Sequence, residues 1–253
     1  MHNVFNDIYR SIFPNGKYLT YGKGSSNVLL SAPHGGAMKP FHIPRRKYGQ
    51  RGKDTYTRRL VERINSNNVL SPFYVYSDIH RSRVDLNRGI VEGAQNDYFA
   101  KGIWKDWNGL LELYTRAITK EYSRGLYIDI HSHNDGDYFE LGYNLSAKSY
   151  RHLSYNGWTD SKSTLDSLGD DTYEMVFGRK SFKSSLESYG FSTLFPTGNE
   201  VYFNGGRNVE VYNGKGIGAI QIECPVSVLE TDLQAVANAI TQAIEIFRKE
   251  FIG

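Results

Sequence analysis

Two histidines that lie two residues apart mark the end of an apolar stretch in the middle of the chain. Residues 126–134 have the sequence LYIDIHSHN, so residues typical of a buried strand run into His131, His133 and Asn134. On a continuing strand, His131 and His133 would point to the same face. Imidazole is the commonest metal ligand in proteins, which makes at least one of them a candidate ligand; a pair of hydrogen-bonded loop histidines is the alternative.

Two further apolar stretches also end in a residue that suits metal chemistry. The stretch at 27–32 is followed by Pro33, His34 and two glycines, and the stretch at 217–224 carries Glu223 near its end. A loop histidine is the simpler interpretation of His34 when it is considered alone. A glutamate at the end of an apolar strand is costly unless it is solvated or paired, so Glu223 is a candidate functional residue.

A fourth apolar stretch, 72–77, runs into a segment that is dense in charge. Residues 78–88 have the sequence DIHRSRVDLNR, with arginines at positions 81, 83 and 88. A guanidinium group binds a carboxylate through two parallel hydrogen bonds, so this segment suggests an anionic substrate. The alternative is a surface network of ion pairs between these arginines and Asp78 and Asp85.

Helical periodicity between the apolar stretches predicts an α/β fold. Apolar residues recur at helical spacing after Asp54, and again from Asp97 to Arg124. Strands that alternate with helices are typical of a mostly parallel sheet covered by helices on both faces. Asp54 stands at the predicted start of its helix. A capping role needs only a short side-chain oxygen, so a cap and a metal ligand are both open for this residue.

The carboxyl ends of parallel strands lie at one edge of a sheet, so the polar strand ends are expected to converge. Two histidines, a carboxylate ligand and a separate glutamate are the components of a hydrolytic zinc site, in which the bound water has a pKa of about 7. The separate glutamate would then act as a general base. The same ligands also suit non-haem iron, so residue type does not decide the metal.

The remaining segments of the chain are expected to lie around the strands that carry this site. Residues 1–26 are predicted to form an N-terminal arm, and residues 142–180 a divergent, loop-rich insertion, within a single catalytic domain of residues 1–253. The sequence NGGR at 204–207 predicts a tight turn at a loop or hairpin tip, from which Arg207 would project. An amphipathic helix with apolar residues between 229 and 247 is expected to pack on the sheet.

Composition and charge are those of an ordinary globular protein. Hydrophobic residues make up 40% of the 253 residues, and the formal net charge of +3 is too small to indicate a nucleic-acid partner. The short basic run at 45–47 is expected to be a solvated face. No apolar run is long enough to span a bilayer, and the first residues lack the pattern of a signal peptide. Because Cys224 is the one cysteine, a reducing compartment is expected, and the cytoplasm is predicted.

An ordered set of short motifs resembles the N-formylglutamate amidohydrolase family, whose fold and site are similar to those of zinc carboxypeptidases. The motifs are PHGG at 33–36, Asp54 at the start of its helix, VDLNR at 84–88, DIHS at 129–132, a Gly-Gly loop at 204–206 and QIE at 221–223. The resemblance covers most of the chain from about Val28 to the end. Two features differ from the family. Gly35 stands where the family commonly has Ser or Ala, and residues 142–180 replace the family's segment between the His-Ser strand and the Gly-Gly loop.

The resemblance implies a set of metal ligands and a catalytic base. His34, Asp54 and His131 would bind one Zn²⁺ per chain, or another divalent metal. Glu223 would be the general base, and Asp129 a buried support for the site. Because a strand that ends in His-x-His offers two imidazoles, metal binding through His133 stays an alternative.

The resemblance also implies residues that would hold the substrate. Asn87 and Arg88 would bind a substrate carboxylate, and either Arg81 or Arg83 would polarise the carbonyl of the bond that is cleaved. Two further residues are expected to face the substrate: His133 and Arg207.

The sequence therefore predicts a three-layer α/β/α protein of the zinc carboxypeptidase-like type, with a mixed, mostly parallel sheet. The expected function is a metal-dependent amidohydrolase that cleaves an amide bond next to a free carboxylate, as in N-formylglutamate or another N-acyl amino acid. A metallocarboxypeptidase or γ-glutamyl hydrolase acting on peptide or cell-wall fragments is one alternative, and a non-catalytic binding protein is another. The expected partner is a small carboxylate-bearing amide or peptide, with no nucleic acid and no membrane; the oligomeric state is open.

Overall fold

The structure of the protein is a computed structural model that describes residues 12–47, 54–67, 69–195 and 203–253. Seven strands in these residues form one sheet. In chain order the strands are β1 (Leu19–Gly22), β2 (Val28–Ala32), β3 (Phe73–Ser77), β4 (Gly125–His133), β5 (Tyr138–Gly142), β6 (Ser192–Thr193) and β7 (Ile217–Pro225). Across the sheet, their order is β1-β3-β2-β4-β7-β5-β6.

The centre of the sheet is parallel, and its margins are mixed. Strands β3, β2, β4 and β7 run parallel, whereas β1 is antiparallel to β3 and β5 is antiparallel to β7. A central parallel strand is covered on both faces, which explains the continuous apolar sequences: every residue of β2 is buried. The predicted mixed, mostly parallel sheet is confirmed.

Helices cover both faces of this sheet. In chain order they are α1 (Thr55–Ser66), α2 (Ile90–Ala94), α3 (Tyr98–Tyr122), α4 (Ala147–Asn156), α5 (Thr172–Phe177), α6 (Phe182–Ser188), α7 (Arg207–Tyr212) and α8 (Val226–Phe251). Successive strand residues point to opposite faces, so Leu30 packs in the cluster with α1 and α8, while Leu29 packs in the cluster with α3. The predicted three-layer α/β/α fold is confirmed.

The two long helices are those that the apolar periodicity predicts. The Asp97 carboxylate caps α3 by accepting a hydrogen bond from the Ala100 N–H at 2.8 Å. In α8, the apolar positions Val236, Ile240 and Phe247 are fully buried against the sheet. Among the described residues, no helix combines the length and the apolar composition that crossing a bilayer requires.

The predicted arm and the predicted loop-rich insertion both contain regular structure. The N-terminal arm of residues 1–26, of which residues 1–11 lie outside the described residues, includes β1, which pairs with β3 at the edge of the sheet. Residues 142–180 include the helices α4 and α5. Only Tyr150 and Leu153 of α4 are buried, and two apolar contacts in one short helix leave too little periodicity to recognise.

The sequence NGGR at 204–207 does not form the predicted tip of a loop or hairpin. Gly206 is the N-terminal boundary of α7, so Arg207 begins a helix. Gly205 has a φ of +115°, and a Cβ added to Gly142 in β5 would lie 2.5 Å from its Cα. The glycines therefore allow the segment that enters α7 to pack directly on the backbone of β5.

Candidate metal centre

The carboxyl ends of three central strands meet the start of α1 at one point. His34 follows β2, His131 and Glu223 lie opposite each other near the ends of β4 and β7, and Asp54 precedes α1. One possible ligand atom from each of His34, Asp54 and His131 lies within 4.8 Å of the other two, and all three side chains are buried. We call these three residues the candidate metal centre.

Asp54 stands at the N-terminal boundary of α1 but does not cap it with its side chain. Its Oδ1 instead accepts a hydrogen bond from the Ser132 N–H at 3.0 Å. Its Oδ2 lies 3.2 Å from Arg81 Nη1 and 3.5 Å from His34 Nδ1. The capping interpretation of Asp54 is therefore wrong, because its carboxylate is directed into the centre.

Gly35 lets the loop after β2 approach Asp54. It has a φ of +96°, and a Cβ at this position would lie 2.5 Å from the backbone carbonyl oxygen of Asp54 and 2.8 Å from Thr57 Oγ1. The Thr57 hydroxyl also donates a hydrogen bond to the His34 carbonyl at 3.2 Å. A serine or alanine, as the family resemblance led us to expect, would not fit here. The close approach to Asp54 and Thr57 therefore explains why this chain has glycine at position 35.

His34 is held by a carboxylate on one ring nitrogen and directed at the centre by the other. Its Nε2 lies 2.9 Å from Asp85 Oδ1, and Asp85 is fully buried. Its Nδ1 is buried, lies 3.5 Å from Asp54 Oδ2, and has no hydrogen-bond partner among the described residues. Metal-binding histidines commonly donate their second ring N–H to a carboxylate, which fixes the tautomer and the orientation of the ring. The Nδ1 atom of His34 is therefore the free ligand atom.

His131 has the same arrangement. Its Nε2 lies 3.0 Å from Asp129 Oδ2, and its Nδ1 lies 3.9 Å from Glu223 Oε1. Asp129 in turn accepts hydrogen bonds from the Ser31 hydroxyl and from Asn208 Nδ2, the latter at 3.3 Å. The imidazole rings of the two histidines meet edge to face, with centroids 4.9 Å apart. The support predicted for Asp129 thus has a definite form, in which Asp129 holds the ring of His131.

Negative charge predominates around the two histidines. Four carboxylates lie within hydrogen-bonding or ion-pair distance of them: Asp54, Asp85, Asp129 and Glu223. Two guanidinium groups balance part of this charge, since Arg46 Nη1 and Arg81 Nη2 lie 2.8 and 3.2 Å from Asp85 Oδ2. Four carboxylates against two guanidinium groups leave two negative charges when Glu223 is ionised and both imidazoles are neutral. A divalent cation would neutralise them, and the residues present fit such an ion.

Burial and these charges set the protonation of the centre. Burial lowers the pKa of His34, so its imidazole is neutral near pH 7. Burial also opposes protonation of His131, but Asp129 and the other nearby carboxylates raise the pKa of His131 to about 9. A metal ligand must be deprotonated, so a metal and a proton compete for His131.

Glu223 lies beside the candidate metal centre. Besides its position beside His131, its Oε1 accepts a hydrogen bond from Gln221 Nε2 at 3.1 Å, and its side chain keeps 16% exposure. Burial raises the pKa of Glu223 to about 7, although the nearby His131 opposes this. A carboxylate with such a pKa can accept and return a proton near neutral pH, which is the property of a general base.

Three residues that hold the centre together were missed as functional residues by sequence reasoning. Asp85 was considered as a partner in surface ion pairs and as part of the motif at 84–88, but was given no role at the site. It lies between the buried residues Val84 and Leu86, and this placement could have signalled its burial. Arg46 is buried against Asp85, so the solvated-face prediction for the run at 45–47 is wrong at this residue. Asn208 supports Asp129 from α7, and nothing in its sequence neighbourhood signals that contact.

The three arginines of segment 78–88 have different surroundings. Arg81 contacts the centre through Asp54. Arg83 Nη1 donates a hydrogen bond to the Ile43 carbonyl at 2.6 Å, and Arg88 Nε lies 3.3 Å from Glu92 Oε1 in an exposed ion pair. In the described part of the chain, neither Arg83 nor Arg88 contacts the centre. Their catalytic and substrate-binding roles stay predictions.

Two further residues predicted to bind substrate make internal contacts. Asn87 is buried; its Nδ2 lies 3.4 Å from His131 Nε2, and its Oδ1 accepts a hydrogen bond from the Asn208 N–H at 3.0 Å. Arg207 Nη1 donates to Asn108 Oδ1 at 2.9 Å, and its guanidinium group lies 4.8 Å from the ring centroid of Trp104. Arg207 therefore packs against α3 and does not project from a turn. Neither contact tests whether these residues bind substrate.

His133 uses both of its ring nitrogens within the loop that follows β4. Its Nε2 lies 2.7 Å from the Tyr138 carbonyl oxygen, and its Nδ1 accepts a hydrogen bond from the Asp135 N–H at 3.1 Å. A carbonyl can only accept, so Nε2 carries the proton and Nδ1 is the acceptor. Neither nitrogen is free for a metal, which favours His131 over His133 as the ligand on this strand.

Comparisons with known proteins support the fold. No family model and no curated protein matches the chain. The crystal structure of N-formylglutamate amidohydrolase from Ralstonia eutropha JMP134 superimposes with a TM-score of 0.56 at 11% identity, covering 90% of this chain and 98% of that one. Gene product Atu2144 from Agrobacterium tumefaciens gives a TM-score of 0.55 at 13% identity, covering 93% and 96%. The predicted resemblance to N-formylglutamate amidohydrolases is therefore confirmed for the fold.

Proposed function

We propose that the protein is a metal-dependent amidohydrolase that cleaves an amide bond next to a free carboxylate, with zinc as the metal. The observation that carries this proposal is the buried Nδ1 of His34, which lacks a hydrogen-bond partner among the described residues and faces Asp54 and His131. An unsatisfied buried nitrogen is costly unless something binds to it. The excess of carboxylates around this nitrogen favours a cation over any other occupant.

The chain's own side chains have distinct tasks in this proposal. His34, Asp54 and His131 would hold the metal, which when bound would supply Lewis acidity to the amide carbonyl and lower the pKa of water. Asp85 and Asp129 keep the two imidazoles in the tautomer that presents Nδ1 to the centre. Without these carboxylates the rings could rotate or change tautomer.

Glu223 would move the proton that amide hydrolysis requires. Its carboxylate takes a proton from the attacking water and gives it to the amide nitrogen as the carbon–nitrogen bond breaks, so the amine leaves as a neutral group. The pKa of about 7 caused by burial suits both transfers. Arg81 stands beside Asp54 and would stabilise the negative charge that develops on the carbonyl oxygen.

The substrate class in this proposal is an N-acyl amino acid or a short peptide with a carboxylate near the bond that is cleaved. Arg88 would bind that carboxylate. Its exposed ion pair with Glu92 is weak, as such pairs are worth about 0–1 kcal/mol, so a substrate could replace Glu92 at little cost.

A cytoplasmic location is part of the same proposal. The single cysteine, Cys224, is a free and fully buried thiol in β7. A chain without disulfides is typical of reducing compartments, and this supports the cytoplasm.

The test is a hydrolysis assay across formyl-, acyl- and γ-glutamyl amino acids and short peptides, with the released amine as the readout. At least one carboxylate-bearing compound should be hydrolysed, and a chelator should remove the activity until zinc is restored. Glu223→Gln should keep the metal and lose turnover by about 100-fold or more, because the proton acceptor is gone. Activity that survives in Glu223→Gln, or that persists without metal, would overturn the proposal.

A further inference from the structure

A positively charged surface adjoins the candidate metal centre. Residues 37–47, which we call the strap, follow the two glycines after β2 and run beside the turn at 78–83 that follows β3. Backbone hydrogen bonds join the two segments at both ends of the strap. The Met38 N–H donates to the Asp78 carbonyl at 2.9 Å, and the Arg46 N–H donates to the Ser82 carbonyl at 2.8 Å. The exposed side chains of the strap and of the turn therefore belong to one surface.

Two cations of the strap and two of the turn form one group. They are Lys39 and Arg45 from the strap, and Arg81 and Arg83 from the turn; we call these four residues the basic rim. Arg83 Nη1 donates a hydrogen bond to the Ile43 carbonyl of the strap at 2.6 Å, so its side chain joins the two segments. Burial lowers the pKa of His80 in the turn, and the charges of all four cations lower it further. The strap itself contains no acidic residue.

The rim carries unpaired charge on its outer side and paired charge on its inner side. Lys39 and Arg45 are exposed, and neither forms an ion pair with another described residue. Arg81, by contrast, is paired with Asp54 and Asp85 at the centre. Like charges that are gathered without counter-ions repel each other, so an anion bound at the outer side would be stabilised.

We propose that the basic rim binds acidic side chains of a peptide whose amide bond lies in the candidate metal centre. Arg81 connects the rim to the centre, because it belongs to the rim and also lies 3.2 Å from Asp54. A peptide bound along the rim would therefore extend to the metal ligands. This inference rests on the proposed amide-cleaving function and adds to it a substrate with several carboxylates, of which one or more lie outside the centre.

An acidic peptide suits this surface better than a nucleic acid does. The rim adjoins the candidate metal centre, and the reaction proposed for that centre needs an amide bond. A nucleic-acid backbone contains no amide bond. The formal net charge of +3 is also small for a protein that binds a phosphate backbone. The exposed Phe41 of the strap could stack on a base, so an oligonucleotide is the main competing ligand for the test.

The experiment measures binding separately from catalysis. Fluorescein-labelled hexaglutamate and hexaglutamine are titrated with Glu223→Gln protein, which should not consume the peptide, and fluorescence anisotropy reports binding. Hexaglutamate should bind about tenfold more tightly than hexaglutamine, and the difference should shrink as salt is added, because exposed charges are screened. Lys39→Glu combined with Arg45→Glu should weaken hexaglutamate binding by about tenfold or more, since attraction becomes repulsion.

A matched variant controls for net charge. Lys120→Glu combined with Arg124→Glu makes the same change in charge at two exposed residues near the end of α3, and should leave hexaglutamate binding unchanged. Thermal melting of both double variants checks that they fold. Equal binding of hexaglutamate by the two double variants would overturn the inference. So would binding of a hexameric oligodeoxythymidylate as tight as that of hexaglutamate.

The inference and the proposed function can fail separately. If the protein hydrolyses a small N-acyl amino acid but does not prefer hexaglutamate over hexaglutamine, the rim has no such role and the proposed function stands. If the rim variant loses hexaglutamate binding but no amide compound is hydrolysed, the proposed function fails, and the surface binds acidic peptides for another purpose.

Discussion

The two histidines of the candidate metal centre share a geometry but differ in electrostatics. Each places Nε2 beside a buried carboxylate, at 2.9 Å from Asp85 for His34 and at 3.0 Å from Asp129 for His131. The Nδ1 atom lies 3.5 Å from Asp54 in His34 and 3.9 Å from Glu223 in His131. Yet burial lowers the pKa of His34, while nearby carboxylates raise the pKa of His131 to about 9 against the effect of burial.

The difference arises from the charges around each ring. Burial lowers the pKa of both histidines, but Arg81, which is paired with Asp85, lowers that of His34 further. His131 has no such cation among the causes of its shift, and Glu223 adds to the effect of Asp129 in raising its pKa. Among the described residues, Asp129 otherwise accepts hydrogen bonds from uncharged groups, such as the Ser31 hydroxyl and the Asn208 amide. Similar positions of ring and carboxylate thus give one neutral imidazole and one that would exchange a proton for a metal.

The largest expected effect is on stability and distinguishes the two carboxylates. Asp85→Asn removes the buried carboxylate that Arg46 and Arg81 share, and leaves each with one other carboxylate, Glu92 for Arg46 and Asp54 for Arg81. A guanidinium group cannot lose its proton, so the free energy of unfolding should fall by about 3 kcal/mol. Asp129→Asn should lower it by only about 1 kcal/mol, because the imidazole of His131 can become neutral. Urea denaturation of the metal-free proteins measures both. Equal losses would show that the guanidinium groups do not distinguish the two sites.

The next effect is on the affinity of the centre for zinc. Asp129→Asn removes the charge behind His131 and should weaken zinc binding by about tenfold or more, as is typical when the carboxylate behind a metal-binding histidine is lost. Competition with a chromogenic chelator gives the dissociation constant. Asp160→Asn, at an exposed position in the segment before α5, is the control and should bind zinc like the original protein. Unchanged affinity in Asp129→Asn would remove this residue from the site.

The smallest expected difference between two matched variants concerns how His34 and His131 are positioned. His131 is fixed by the register of β4, whereas His34 lies in a loop that needs Gly35. Gly35→Ala combines a left-handed φ with a contact at 2.5 Å and should reduce the free energy of unfolding by about 2 kcal/mol. Gly157→Ala, which has a φ of +75° but no atom within 4 Å of the added Cβ, should cost about 1 kcal/mol. Thermal melts compare them, and the reverse order would contradict the close approach.

The strand ends could be predicted from sequence because burial on both faces makes central parallel strands continuously apolar. The ends of β2, β4 and β7 could therefore be recognised in the sequence, because the apolar stretch stops there and a polar residue follows. Parallel geometry then required these ends to meet. His34, His131 and Glu223 could therefore be predicted to lie at one edge of the sheet.

Contacts between distant segments could not be predicted in this way. An aspartate before a helix has the same residue type whether it caps the helix or turns away from it, and only the contacts of Asp54 with Ser132 and Arg81 separate the two cases. Asp85 and Asn208 act through residues far away in the chain. Their contacts follow from tertiary packing, which local pattern does not encode.

Metal binding by His34, Asp54 and His131 can be measured without knowing the substrate. The metal content of protein purified without chelator is compared with that of His34→Ala and of Glu223→Gln. We expect about one zinc per chain in the original protein and in Glu223→Gln, and none in His34→Ala. Absence of any divalent metal from the original protein, or an undiminished zinc content in His34→Ala, would contradict this expectation.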